Sequence, residues 1–241
     1  LPLGLQTPGP IQLAATGGTD VKWSPPIEYH RRVKLPFLAE FGYSGQIDLA
    51  RRGFYPKGGG EATVKIQPAK IGPIRCTSRG SLQEVVVDSV ATPDLADADV
   101  AERQAGAATE ALAETVEAPV RSDHQYVDAD STGTAVIVVA RYRHSRAGFS
   151  ALGEPGKAAE EVAQEAVSSF HTFHESAAAI DSHLADQLLP FVAIAGGQIT
   201  TPEHTDHVAT ATELLRTFDY DIEVTENGGL VEISAPGTDV T

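Results

Sequence analysis

Methionine is absent from the 241 residues, and cysteine and tryptophan occur once each. The lone Cys76 cannot close an internal disulfide and offers no CxxC pair. A disulfide scaffold and a cysteine-built metal site are therefore excluded, and a reducing, cytoplasmic setting is expected. Cys76 itself reads as a small buried apolar residue. No run of about 18 apolar residues is present, and Leu1 to Pro10 show neither a charged n-region nor an apolar signal core. A soluble protein with no membrane partner is expected, and, with no Met at its head, one that begins beyond its natural start. Basic residues are also scarce: 18 Lys and Arg stand against 33 Asp and Glu, a formal charge of -15. That balance runs against a nucleic-acid partner, whose phosphates draw on Lys and Arg. Acidic side chains scattered over every segment, with much Ala, Thr, Val and Asp, suit a surface adapted to high salt, so a halophilic source is expected.

What cations there are fall in clusters: Arg31, Arg32 and Lys34; Arg51, Arg52 and Lys57; Arg141, Arg143 and Arg146. They leave room for locally positive ground, or for ordinary solvated faces. The hydrophobic share of 41% is that of a folded protein, and the length fits one large domain or two unequal ones.

Pro25-Pro26 stops the opening segment, and residues 27–41 read as a helix with Val33, Phe37, Leu38 and Phe41 toward a core and a kink at Pro36. Strands are expected over 46–50 and 61–66, joined by the glycine-rich Arg51-Arg52-Gly53-Phe54-Tyr55-Pro56-Lys57-Gly58-Gly59-Gly60. A strand over 84–90, an Ala/Glu-rich helix over 94–116, a β-branched strand over 134–142 and a helix over 157–173 follow. This mix, bracketed by Pro73 and a polar stretch before Ile180, reads as an inserted smaller domain. Last come a helix over 182–189, an apolar run over 191–195 after Pro190, a Gly196-Gly197 break, and a helix over 206–218. A hairpin closes the chain, turning at Asn227-Gly228.

His207 stands in the first turn of the 206–218 helix, capped by Thr205 or Asp206. Unpaired N–H groups and the positive end of the helix dipole favour bound phosphate there and disfavour an imidazolium. Both effects suit a neutral imidazole attacking phosphorus, although a solvated or capping histidine has the same spacing. His204 with His207, and His171 with His174, are i, i+3 pairs of the kind that hold zinc, but neither has an obvious third ligand; no metal ligands are assigned. Asp186 and Gln187 offer a carboxylate and a carboxamide able to read ribose hydroxyls or an adenine edge. Lys57-Gly58-Gly59-Gly60 has the wrong order for a Walker loop and reads as a hairpin connection or an RNA-backbone contact. Phe149 and Tyr142, beside Arg143 and Arg146, are placed either to stack on a base or to fill a core.

Thr16-Gly17-Gly18-Thr19-Asp20-Val21 with Ser24-Pro25-Pro26, then residues 51–60, then His183-Leu184-Ala185-Asp186-Gln187, and finally His207-Val208-Ala209-Thr210, resemble RNA 3'-terminal phosphate cyclases in order and separation over the whole chain. The resemblance implies an α+β fold of repeated units, each packing two helices on a four-stranded sheet. The main domain would comprise residues 1–79 and 179–241, with a smaller inserted domain over 80–178. It implies an enzyme that uses ATP and a divalent metal, Mg or Mn, to turn an RNA 3'-phosphate end into a 2',3'-cyclic phosphate. His207 is the implied nucleophile, and His183, Leu184, Ala185, Asp186 and Gln187 the implied lining of the ATP site. His183 replaces the aromatic residue expected there, and Phe149 lies about one residue from the adenine-stacking aromatic. The resemblance also puts Leu1 just past the glycine-rich opening of the family, so Gln6-Thr7 is a coincidental match and the first repeated unit is expected to be missing. The other readings are a catalytically inactive relative acting as a scaffold in ribosomal RNA processing, and a plain RNA-binding module. Activity is expected to need the deprotonated imidazole of His207.

Overall fold

The computed structural model describes residues 2–5 and 7–238; Gln6 of the Gln6-Thr7 pair lies outside them. It is a mixed α and β structure with three sheets. Strands β1 (Ile11–Gly17), β2 (Gly45–Arg51) and β3 (Gly60–Ile66) form an antiparallel sheet in the order β1-β3-β2. Between β1 and β2 runs a continuous helix made of α1 (Ile27–Tyr29), a π-helical turn (His30–Lys34) and α2 (Leu35–Ala39). Pro36 has no N–H to bond the carbonyl of Arg32, and the widened turn lies just before it. Val33, Phe37 and Leu38 are buried by this helix as their spacing requires.

β4 (Ile74–Cys76) belongs to a second sheet that the chain completes much later. First comes the 82–152 sheet, in the order β6-β5-β7-β8, from β5 (Leu82–Ala91), β6 (Val120–Tyr126), β7 (Thr134–Tyr142) and β8 (Arg146–Leu152). Helices α3 (Val100–Ala113) and α4 (Ala159–Glu175) cover one face of it. The expected 94–116 helix is in fact two pieces, a 3-10 segment Pro93–Ala98 and α3, broken at Asp99, whose φ of 50° no helix interior tolerates. β6 is polar and mostly exposed and β8 is rich in small residues, so neither showed a strand pattern.

β7 is buried on both faces, which alternate between two cores. Val136, Val138 and Ala140 pack under α3 and α4, whereas Ile137 and Val139 join Tyr29 and Val33 in the core around the 27–39 helix. Gly148 on β8 permits this approach: a Cβ there would fall 2.7 Å from the Tyr29 ring and 2.8 Å from Val33.

The chain then forms α5 (Ser182–Ala195), β9 (Gly197–Thr201), α6 (Asp206–Thr217), β10 (Glu223–Asn227) and β11 (Leu230–Ala235), which with β4 make a sheet in the order β10-β11-β9-β4. Pro190 does not end α5. Leu188, Leu189, Phe191 and Val192 are fully buried on either side of it, and that packing outweighs one lost backbone bond. The closing hairpin turns on Gly228-Gly229, both with positive φ, rather than on Asn227-Gly228. β1, helix, β2, β3 and β9, α6, β10, β11 share one topology: in each, the last strand lies between the other two and antiparallel to both.

A buried ion network ties the first sheet to the 82–152 sheet. Arg52 Nη1 donates to both carboxylate oxygens of Asp20 at 3.0 and 3.1 Å, and its Nη2 to Glu28 Oε1 at 2.8 Å. Arg32 Nε lies 3.3 Å from Glu28 and 3.0 Å from Asp88 Oδ2 on β5. The Asp88 contact is one of charge, not an aligned hydrogen bond. Burial therefore wins and pushes the Asp88 carboxyl up to about 6, with Arg32 and Arg52 pulling it down and Glu28 and Asp123 pushing it further up.

Removal of the central cation tests this network. Arg52→Ala leaves the buried Asp20 carboxylate without its cation and takes one of three arginines from Glu28, and should lower unfolding free energy by about 3–5 kcal/mol in a denaturant titration. Asp88 gives a pH signature. The unfolded chain releases this proton near 3.8 and the folded chain near 6, so in that window the folded state binds more protons. Its contribution to stability must fall as pH rises from about 4 to about 6 and then level. Thermal melts of Asp88→Asn should lose that slope; an unchanged slope would contradict the burial account.

Candidate active site

Asp181 is the N-cap of α5 and is 2% exposed. Its Oδ1 accepts from Leu184 N at 2.9 Å and from the Tyr29 hydroxyl at 2.7 Å, and its Oδ2 from Gly148 N at 3.2 Å. One carboxylate thus joins the start of α5, the helix beginning at Ile27, and strand β8. Burial pushes the Asp181 carboxyl up, against the pull of its three donors, and pushes the Tyr29 hydroxyl well above its ordinary value, so Tyr29 stays a donor. The Tyr29 ring meets His183 edge-on with centroids 6.1 Å apart.

From that anchor α5 presents His183, Asp186 and Gln187 outward, His183 exposed and the other two half-buried. Burial raises the Asp186 carboxyl, opposed by His183, then His207, then Lys34. His207 is exposed in the first turn of α6, whose cap is Thr205, with Oγ1 accepting from Val208 N at 3.2 Å. The structure therefore brings His183, Asp186, Gln187 and His207 to one region. Gln187 Oε1 is buried without a hydrogen-bond partner among the described residues.

Three expected lining residues face elsewhere. Leu184 and Ala185 are fully buried in the core, because positions 183, 186 and 187 share one helical row and 184, 185 and 188 the opposite one. Phe149 packs on Phe170 and Phe173 with centroids 6.0 and 5.4 Å apart, and Tyr142 on Phe173 and His174. Both aromatics fill the core under α4 and neither offers a face to a base. His171 Nε2 lies 3.3 Å from the Thr115 hydroxyl and His174 Nδ1 2.8 Å from the Tyr142 hydroxyl. Among the described residues no group of three or more His, Cys, Asp or Glu side chains converges to hold an ion.

One further residue here, His30, had no signal in the sequence, and Lys34 was visible only as a member of a cation cluster. His30 and Lys34 lie one turn apart on the 27–39 helix, and burial drives His30 down to about 4 and Lys34 down to about 8, with Asp186 pulling Lys34 back up. Asp181, by contrast, carried a readable sign, an Asp directly before a helical pattern. The cation clusters are mostly tied up: Arg31, Arg32 and Arg52 with Glu28, Arg51 with Asp130, Arg141 with Glu84. Of the 51–57 cluster, only Lys57 carries a side chain with no ion pair among the described residues.

Residues 1–224 match the family model described as RNA 3'-terminal phosphate cyclase. The chain belongs to this family. Relatives named RNA 3'-terminal phosphate cyclase include one from Halobacterium salinarum, 47% identical over 233 residues, covering 96% of this chain and 66% of the relative. Another, from Archaeoglobus fulgidus, is 38% identical over 212 residues, or 86% of this chain and 61% of the relative. A third, from Thermococcus kodakarensis, is 36% identical over 224 residues, or 92% and 64%. The chain spans less than two thirds of the length of each. In this cyclase-family chain, among the described residues, no helix is long and apolar enough to cross a membrane.

Double-mutant analysis tests the Asp181 anchor. Tyr29→Phe removes one of its donors and should cost about 1–2 kcal/mol. Asp181→Ala should cost about 3–5 kcal/mol, since it deletes a helix cap and strands two buried donors. The double mutant should fall short of the sum, because both changes break the same bond; strict additivity in urea titrations would show that the pair does not act as a unit.

Proposed function

We propose that this chain supplies the nucleotide-transfer residues of an ATP-dependent RNA 3'-terminal phosphate cyclase. The observation that carries the reading is the meeting of His207, on a helix N-terminus, with the exposed row His183, Asp186 and Gln187. In the proposed route His207 Nε2 attacks the α-phosphorus of ATP, and the bond to the β-phosphate breaks to release pyrophosphate. The adenylyl group then passes from His207 to the terminal phosphate of the RNA. The neighbouring 2'-hydroxyl closes on that phosphorus, losing its proton to water, and AMP leaves with the bonding electrons. The 2',3'-cyclic phosphate remains. Two displacements replace one difficult activation, and AMP is a leaving group that a weak hydroxyl can displace.

The residues present fit a nucleotide. Gln187 Oε1 is a buried acceptor in need of a donor, as an adenine amino group or a ribose hydroxyl would supply; Asp186 offers a second acceptor and the exposed His183 a planar ring. The first helical turn at His207 presents N–H groups to phosphate oxygens. A divalent cation such as Mg or Mn would neutralise phosphate charge, and with no protein cage for it among the described residues it would arrive with the nucleotide. The shared topology of the two β-α-β-β units supports reading them as repeats, with the 80–178 segment as an insertion between them. An activity on RNA ends that consumes ATP suits the cytoplasm.

Incubation with α-labelled ATP, a divalent metal and high salt, followed by a denaturing gel, tests the proposal. Acid-labile label on the wild-type chain, absent from His207→Ala, is the expected outcome. Asp186→Ala should reduce labelling at least tenfold while leaving the fold intact. Label that survives His207→Ala would reject the assigned nucleophile.

A further inference from the structure

The most exposed aromatic side chain among the described residues is that of the chain's single tryptophan. Trp23 is 98% exposed and has a φ of 72°, a backbone conformation that a bulky residue adopts only where its surroundings impose it. Tyr55, 80% exposed, stands on the neighbouring loop. The two loops are joined: Asp20 and Phe54 form a parallel bridge, and Thr19 N donates to Gly53 O at 2.9 Å.

Both loops are held rigidly. Asp20 and Arg52 form the buried pair described above, and Gly53 N donates to Thr19 Oγ1 at 2.9 Å. Gly53 is packed so closely against Gly17, Gly58 and Gly60 that no Cβ fits. Phe54 is buried against Val90 and Ala135, which turns the next side chain, Tyr55, outward. Lys22 pairs with Glu154 at 2.7 Å, Arg51 pairs with Asp130, and Lys57 N donates to Ser131 Oγ at 3.1 Å. The neighbouring carboxylates Asp130 and Glu154 are thus neutralised in place, and the exposed ammonium of Lys57 has no ion pair among the described residues.

Two large aromatic faces on fixed loops, flanked by a free cation and no free carboxylate of these pairs, fit single-stranded nucleic acid, whose bases stack on aromatic rings and whose phosphates seek Lys. An apolar protein partner would have no use for Lys57, and duplex would hide its base faces. We propose that Trp23 and Tyr55 form a stacking platform for unpaired bases of the RNA strand whose 3'-end is processed, with Lys57 on its backbone. The inference rests on the RNA reading above, but it concerns how the strand is held, not how its end reacts. Stacking also suits a chain of net charge -15, because base–aromatic contact survives salt that weakens phosphate contacts.

The single tryptophan makes the test direct, since all indole emission comes from Trp23. Titration of the full chain with a short 3'-phosphorylated oligoribonucleotide should quench that emission. An abasic oligomer with the same number of phosphates should not, and ATP alone should not. Trp23→Ala and Tyr55→Ala, checked by melting for an intact fold, should each weaken RNA binding about tenfold, and Lys57→Ala should lower the salt dependence. RNA bound with unchanged Trp23 emission would overturn the proposal. So would quenching by ATP equal to that by RNA, or free-state emission already typical of a covered indole, which would point to another protein surface on Trp23. The His207 label is read separately: label without quenching sinks the platform alone, and quenching without label sinks the transfer chemistry alone.

Discussion

The candidate site depends on one buried carboxylate. Asp181 accepts from three donors that belong to three different parts of the chain. The Tyr29 hydroxyl comes from the first helix, the Gly148 amide from the edge of the 82–152 sheet, and the Leu184 amide from α5 itself. Each donor alone contributes modestly. Together they fix where α5 starts and how it is rotated, and rotation decides which of its side chains face outward. The edge-on contact of Tyr29 with His183 carries that constraint to the exposed row. The arrangement also explains the need for Gly148, since any side chain there would push β8 away from the helix whose tyrosine reaches Asp181.

The ion network around Arg52 does for the glycine-rich loops what Asp181 does for α5. An acidic chain has few cations to use, and several of those expected to form a binding surface are held instead in ion pairs. Arg52 is buried between Asp20 and Glu28, and Arg32 bridges Glu28 and Asp88. Positive charge in the sequence therefore did not mean positive surface. The large exposed side chains of these loops are aromatic, Trp23 and Tyr55.

Much of the fold was legible because its elements follow one periodicity over a useful length. The β-branched run 134–142 and the helix packing Val33, Phe37 and Leu38 are of this kind. What escaped notice lacked such a pattern. β6 is almost wholly polar because it is exposed, β8 is built of small residues because a helix presses on it, and β1 is exposed along nearly its whole length. Pro190 misled for a different reason: local backbone preference suggested a stop, and the burial of four large neighbours kept the helix going. In the site, the histidines at 183 and 207 and the pair 186–187 were visible as residues. Tyr29 and His30 were not, and Lys34 was visible only as one of a cation cluster, since only tertiary packing brings that helix beside α5.

The five-residue motif from His183 to Gln187 shows how a contiguous sequence signal divides once it is helical. A turn of 3.6 residues cannot present five consecutive side chains to one ligand. Leu184 and Ala185 enter the core with Leu188, and their burial is what holds His183, Asp186 and Gln187 at a fixed height on the surface. Pro190 adds to this, because without an N–H it leaves the Asp186 carbonyl with no helical donor. The Asp186 carboxylate itself is half-buried, and burial raises its affinity for a proton. The motif is one surface of three side chains and one underlying anchor of two, and the anchor sets where those three side chains stand.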